Sequence, residues 1–393
     1  MANDETVKPA GINTRLAHSG NDPHAYFGFV NPPVVHASTV LFPEARLMAG
    51  RGNQKYNYGM HTPTTEALTL AIDGIEGSAG TIIAPSGLAA VAVPLLAFLS
   101  AGDHALLVDS IYSPTRRFAD SMLTRLGIDV EYYDPMVGAD IDRLMRPNTK
   151  LVFTESPCSG TFEVQDIPAI AKAAHAGGAI VVMDNTWATP LYFKALDHGV
   201  DVTIHAATKY PAGHSDVLLG TVSANEKCWP QLRDASAALG MCAGPDDVYQ
   251  VLRGLRTMGV RLERHQESAL EIARWLETKP GVARVLHPAL ESHPGHGLWK
   301  RDFCGSSGLF SIVLAGGGQK QQHAFLDALQ IFGLGYSWGG FESLAVPFFL
   351  GDRKLGQAAY EGPLIRLQIG LEDTPDLMAD IERGLAAAAG AQP

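Results

Sequence analysis

Four short stretches of this chain carry residue types whose placement could do chemistry. In "HAATKYPAGHSD" (205–216), Lys209 follows an apolar, β-rich run and stands among residues too small to shield it. A lysine partly desolvated in this way loses part of its preference for the charged form. Its neutral amine can then attack a carbonyl and form a Schiff base. The alternative is a strand-end lysine that reaches solvent. Thr208 can donate its hydroxyl to a phosphate or simply serve as a β-former. Asp184 ends the run "AIVVMD". A carboxylate at the carboxyl end of a parallel strand faces the crevice where α/β proteins bind ligands. The same residue could instead cap the turn "NTW". The stretch "APSGLAAV" (84–91) joins a strand to a helix through Ser86 and Gly87. A helix start offers unpaired N–H groups and the positive end of the dipole, so a phosphate is a natural guest. Ser86 could equally be an ordinary N-cap. Tyr112, in "DSIYSPT", could stack on a flat ligand or pack within its loop.

Together the four pieces supply a phosphate cradle, a carboxylate, an aromatic face and an amine, which is what pyridoxal phosphate (PLP) requires. The carboxylate would keep the pyridine nitrogen protonated and make the ring an electron sink. The amine would hold the aldehyde.

The elements that must position these residues are legible as an alternation. Strands are expected at 81–84, 104–110, 150–156, 179–185, 201–207 and 216–224, with helices at 87–100, 114–126 and 167–176. Continuous apolar strands separated by helices imply a parallel sheet covered on both faces. Residues 245–278 read as one long helix, or as two with a break at Gly254 or Gly259. Then come a strand at 308–314, a helix near 319–329, strands near 330–336 and 364–369, and a last amphipathic helix at 374–388, together a smaller α/β domain. Residues 1 to about 60 are rich in Pro, Gly and Asn and read as an arm.

Of the 393 residues, 46% are hydrophobic and 18% charged, the balance of a globular enzyme. The formal charge of −11 argues against a nucleic-acid surface. The longest apolar stretches are too short and interrupted to span a membrane. None of the four cysteines forms a CxxC pair, and "HPGHG" (293–297) is a lone histidine pair, so no metal is expected and a reduced cytoplasm is the simplest compartment.

The segments "YNYG" (56–59), "PSGLAAV" (85–91), "IYSPT" (111–115), "FTESPCSGTFEVQDI" (153–167), 181–221, "RGLRTMGVRL" (253–262), "YSWGGFESL" (336–344) and "LIRLQIGLED" (364–373) resemble the Cys/Met-metabolism family of PLP-dependent enzymes over nearly the whole chain. Within that family they are most like the bacterial β-lyases. The resemblance implies the PLP-dependent transferase-like fold (fold type I), α/β, with a large, mostly parallel seven-stranded sheet domain and a smaller C-terminal α/β domain. The implied division is an arm at 1–60 contacting a neighbouring subunit, a PLP-binding domain at 61–255 and a small domain at 256–393. Lys209 would carry PLP, Asp184 would pair with the pyridine nitrogen, and Tyr112 would stack on the ring and help deprotonate the incoming amine. Ser86, Gly87, Leu88 and Thr208 would hold the phosphate. Arg366 would grip the substrate α-carboxylate, with Ser337 and Trp338 beside it. Tyr58 would reach the site of a neighbouring subunit, in a homotetramer built as a dimer of dimers.

Two positions depart from the family pattern. Where the family carries Tyr-x-Arg, this chain has Tyr58-Gly59-Met60, and Ala206 replaces a serine three residues before the lysine. Weaker cofactor retention or a differently built phosphate site is expected, with His61, Arg51 or Lys55 as possible substitutes. The segment around Tyr336 and Trp338 lacks the acidic residue that γ-acting relatives place there. This implies β-elimination on a small amino-acid thioether: L-cystathionine to homocysteine, pyruvate and ammonia. A γ-lyase or homoserine-ester sulfhydrylase is the alternative, and a non-catalytic regulatory protein of the same fold is a more distant one.

Overall fold

A computed structural model describes residues 10–50, 54–355 and 360–391; Arg51 lies outside them. Seven strands form the large sheet: β1 (Gly80–Ala84), β2 (His104–Val108), β3 (Asp129–Tyr133), β4 (Thr149–Glu155), β5 (Ile180–Asp184), β6 (Val202–His205) and β7 (Gly220–Ala224). Their order is β1-β7-β6-β5-β4-β2-β3, and only β7 runs against the rest. Strands β1, β2, β6 and β7 are buried along their whole length, because helices cover both faces. The helices begin where the chemistry directs: Asp166 caps Ile167–Ala176 by accepting the Ala169 N–H at 3.1 Å, and Thr62 caps Pro63–Glu76 in a reciprocal bond with Thr65.

The second sheet orders β10 (Gly333–Leu334), β11 (Leu344–Phe348), β12 (Leu364–Gln368), β9 (Leu309–Leu314) and β8 (Val282–Leu286), and is mostly antiparallel. The structure thus contains the expected α/β pair of layers. Strands β3, β8 and β11 and the helix Pro63–Glu76 were not expected from sequence. β3 is an edge strand and half exposed, so "DVEYY" shows no apolar run. β11 contains Pro347, which masks its strand signal. The strand expected over 330–336 shrinks to Gly333–Leu334, and the one over 216–224 begins only at Gly220.

Pro245–Leu276 is a single helix of 32 residues. Gly254 and Gly259 do not break it. A Cβ at Gly254 would meet Pro211 O at 2.2 Å, and one at Gly259 would meet Asn13 Oδ1 at 2.6 Å, so both glycines serve close packing. The helix joins two cores. Val248, Val251, Leu255 and Met258 pack with Leu68, Ile72 and Tyr210, while Ile272 and Leu276 pack with Phe310, Ile312 and Phe325.

The N-terminal region divides in two. Ile12–His18 packs on its own chain, with Arg256 donating to Leu16 O (2.7 Å), Ser19 O (2.9 Å) and Asn21 Oδ1 (2.7 Å). Beyond it, Phe27, Phe29, Val30, Leu41, Met48 and Tyr58 are exposed.

Candidate active site

The carboxyl ends of β4, β5 and β6 lie side by side and open into a cleft of about 240 Å³. Ser86, Gly87, Leu88, Tyr112, Asp184, Thr208, Lys209, Trp338 and Arg366 all line it. Ser337 joins them through a 2.7 Å bond between its hydroxyl and Lys209 Nζ. Tyr58 is elsewhere, exposed on the arm and bridged to Thr39. A larger cleft of about 490 Å³ opens near Glu163 and Arg284, but these charges are already paired, with Arg353 and Glu361 respectively.

Lys209 is half-buried four residues past the end of β6. Burial, with the positive charge of Arg366, lowers its amine to about 8, although Asp184 pulls the other way. Its Nζ stands 5.3 Å from the Trp338 ring centre. Ser337 adopts φ +87°, a left-handed conformation uncommon for a residue with a Cβ and found where a site requires it. Tyr210 secures the segment: its hydroxyl accepts the Gly308 N–H at 2.9 Å, and its ring meets Trp338 and His265.

Asp184 accepts the Thr186 N–H at 3.0 Å and the Thr186 hydroxyl. Burial raises this carboxyl. The bonds from Thr186 oppose the rise, as do the neighbouring His205 and Lys209. Arg366 is half-buried, donates to Ser337 O at 3.2 Å and meets no carboxylate among the described residues; burial lowers it to about 10. A half-buried guanidinium without a carboxylate partner among the described residues is a site for an anion.

At the helix Gly87–Phe98, the Ser86 hydroxyl accepts the Ala89 N–H at 3.1 Å, leaving the Gly87 and Leu88 N–H groups as the free donors of the first turn. The turn is tightly seated. A Cβ on Gly87 would lie 2.7 Å from Ala206 Cβ. The Thr208 hydroxyl is occupied at home, donating to Leu219 O at 3.2 Å and accepting the Leu219 N–H at 3.0 Å. It closes the connection from β6 to β7, a task its sequence position did not reveal.

The model of the Cys/Met metabolism PLP-dependent enzymes matches residues 13–386. The chain belongs to this family. It is 45% identical to the cystathionine β-lyase of Escherichia coli, covering 95% of this chain and 98% of the relative. A Rhizobium johnstonii protein named as a candidate cystathionine β-lyase is 66% identical over 98% of both chains. The solved cystathionine γ-lyase of Lactobacillus plantarum superposes with a TM-score of 0.90 at 30% identity, covering 97% of this chain and all of that one.

PLP is the cofactor of this family, and the residues present fit it: a free helix N-terminus packed too closely to admit a side chain at Gly87, and a half-buried carboxylate at Asp184 and amine at Lys209 that open into the cleft. Sequence reasoning missed Glu155, Thr186 and Tyr210. Glu155 ends β4 as Asp184 ends β5, so the same strand-end signal could have found it. Lys55, a proposed substitute for the missing arginine, pairs with Glu66 at 2.8 Å, and His61 and Met60 line a separate cleft beside it.

In the cofactor-free protein, the rate of covalent PLP attachment should rise with pH to a half-maximum near 8, where a free lysine would give about 10.4. Stopped-flow absorbance across pH 6.5 to 10.5 measures this. A midpoint at the free-lysine value would contradict the desolvated setting of Lys209.

Proposed function

We propose that this chain is a PLP-dependent carbon–sulfur β-lyase that cleaves L-cystathionine to homocysteine, pyruvate and ammonia. The observation that carries the reading is a desolvated Lys209 amine beside an unpaired Arg366, in a cleft whose substrate wall is Trp338. Among the described residues, the carboxylates lining the cleft are Glu155 and Asp184, at the strand ends. By the family resemblance, γ-acting relatives usually carry an acidic residue in the segment at 336–338. The wall at 336–338 has none, and Tyr336 is 84% exposed outside the cleft. The β-lyase relatives, at 45% and 66% identity, support the same choice over the γ-lyase at 30%.

When bound, PLP supplies an aldehyde for the substrate amine and a ring that accepts the electron pair of the Cα–H bond. The chain's own residues do the rest. The Gly87 and Leu88 N–H groups would hold the phosphate, Asp184 would hold the ring nitrogen, and Tyr112 would cover the ring face. Arg366 takes the substrate α-carboxylate in two parallel bonds, which fixes Cα in front of Lys209. Lys209 would remove the α-proton as a neutral base, and a lowered pKa keeps enough of it neutral near pH 8. The same Nζ then delivers the proton to the departing sulfur. The Ser337 hydroxyl orients Nζ between these positions. Homocysteine, a methionine precursor, leaves first; the remainder hydrolyses to pyruvate and ammonia.

The proposed assembly is a homotetramer in the cytoplasm, with Tyr58 from a neighbour at each site. The exposed Phe27, Phe29, Leu41 and Met48 on the arm support the association. Four unpaired cysteines fit a reduced compartment. No helix among the described residues is long and apolar enough to cross a membrane.

Mixed with PLP and L-cystathionine, the protein should form pyruvate and no 2-oxobutyrate. Lys209→Ala should lower kcat by about 10⁴-fold or more, the loss of both base and covalent anchor. 2-Oxobutyrate as the product would move the chain to the γ-lyases. Met60→Arg should tighten PLP binding about tenfold by adding a charge-assisted bond to the phosphate, read by fluorescence titration; unchanged affinity would mean that residue 60 does not reach the phosphate. Sedimentation should give about four times the 41.9 kDa chain mass, and a monomer would remove Tyr58 from the site.

A further inference from the structure

Glu155 is a buried carboxylate that the mechanism above does not use. It lies directly across from Asp184 in the β4–β5 register, and both line the cleft. One carboxylate oxygen accepts the Tyr112 N–H at 2.8 Å. The backbone behind it is clamped. Gln165 Nε2 and the Cys158 thiol both donate to Glu155 O, at 2.6 and 3.0 Å, and Gln165 is fixed in turn by the Tyr133 hydroxyl at 2.9 Å. Among the described residues no ion pair includes Glu155.

Two adjacent buried carboxylates do not both ionise without a cation between them. The surroundings decide which keeps the charge. Asp184 has two donors from Thr186 and stands near Lys209 and His205. Glu155 faces Asp184 from β5, the Tyr112 N–H from the loop after β2, and Cys158 and Ser159 from its own loop; the bonds from Tyr112 and from the Ser159 hydroxyl and N–H oppose the rise that burial and Asp184 cause, so the difference between the two acids lies in the charges near Asp184. None of the groups facing Glu155 is a cation. Arg366 and Arg117 act on Tyr112 instead. A protonated ring nitrogen at Asp184 would tilt the pair the same way.

We propose that Glu155 works as a neutral carboxylic acid, a positioning residue that holds Tyr112 over the cofactor and leaves Asp184 the single anion of the pair. Burial and then the facing Asp184 raise its carboxyl, which favours the protonated form. Neutrality also spares Tyr112, whose phenol burial, Asp184 and Glu155 all push upward. This inference rests on the assignment of Asp184 and Tyr112 to the cofactor.

The test compares wild type, Glu155→Gln and Glu155→Ala. Gln copies the protonated acid: an acceptor for Tyr112 N–H and a donor in place of the acid proton. PLP affinity of Glu155→Gln should stay within about threefold of wild type, while Glu155→Ala should lose about tenfold, the worth of one buried hydrogen bond. Equal losses in both variants, or none in Glu155→Ala, would overturn the role. The second measurement is thermal stability of the cofactor-free proteins. A carboxyl raised from 4.5 to about 8 binds its proton more tightly folded than unfolded. Wild type therefore loses stability relative to Glu155→Gln as pH rises through that window, and the difference levels off above it. Lys209 titrates in both proteins and cancels from the difference. Parallel curves would mean that Glu155 is ionised when folded and would overturn the proposal. Neither reading involves substrate, so both stand if the lyase assay yields no pyruvate.

Discussion

Parallel pairing of β4, β5 and β6 places the carboxyl ends of three strands next to one another, and the site depends on that adjacency. Glu155, Asp184 and the segment leading to Lys209 are separated by tens of residues, yet the register sets Glu155 opposite Asp184 and Asp184 opposite Ile204. Burying two acids and an amine at one sheet edge is costly in isolation. It is tolerated here because each group offsets another's charge or takes a hydrogen bond, and the residual imbalance appears as displaced titration. The Lys209 amine is brought toward neutrality by burial, and burial with the facing Asp184 raises the Glu155 carboxyl. Such displacement leaves the Lys209 amine largely available in its neutral form near pH 8.

The second sheet completes the cleft through bonds that run between the two cores. Trp187 Nε1 donates to Leu309 O at 2.9 Å, Tyr210 accepts from Gly308, and His265 bonds Ile369 O at 2.7 Å. These contacts bring Ser337, Trp338 and Arg366 in front of Lys209. The long helix Pro245–Leu276 makes the arrangement rigid, since one half is built into each core. A division of the chain at 255/256 would cut this helix, so the two regions share a structural member.

Much of this was legible in the sequence. The continuous apolar runs ending in Asp184 and before Lys209 marked buried parallel strands, and the small residues around Lys209 marked a desolvated amine. Ser86-Gly87 marked a helix start. What stayed hidden had physical causes. β3 lies at an edge with one face in water, so its pattern is diluted. Gly254 and Gly259 looked like breaks because a sequence does not display the neighbouring chain that needs the space. Thr208 looked like a phosphate donor, but the fold commits its hydroxyl to Leu219.

The sequence by itself determined much of the chemical inventory: an amine, a carboxylate, a tyrosine and a helix start, each at or just beyond a strand or helix end, because local polarity and periodicity are written in neighbouring residues, while the guanidinium of Arg366 was marked only by the family resemblance. Only the tertiary structure decided which of these meet and in what protonation state. Glu155 became part of the site because β4 pairs with β5, and Ser337 because the second sheet packs over Lys209. Solvent exclusion and charge proximity arise between segments far apart in the chain, so no local pattern records them.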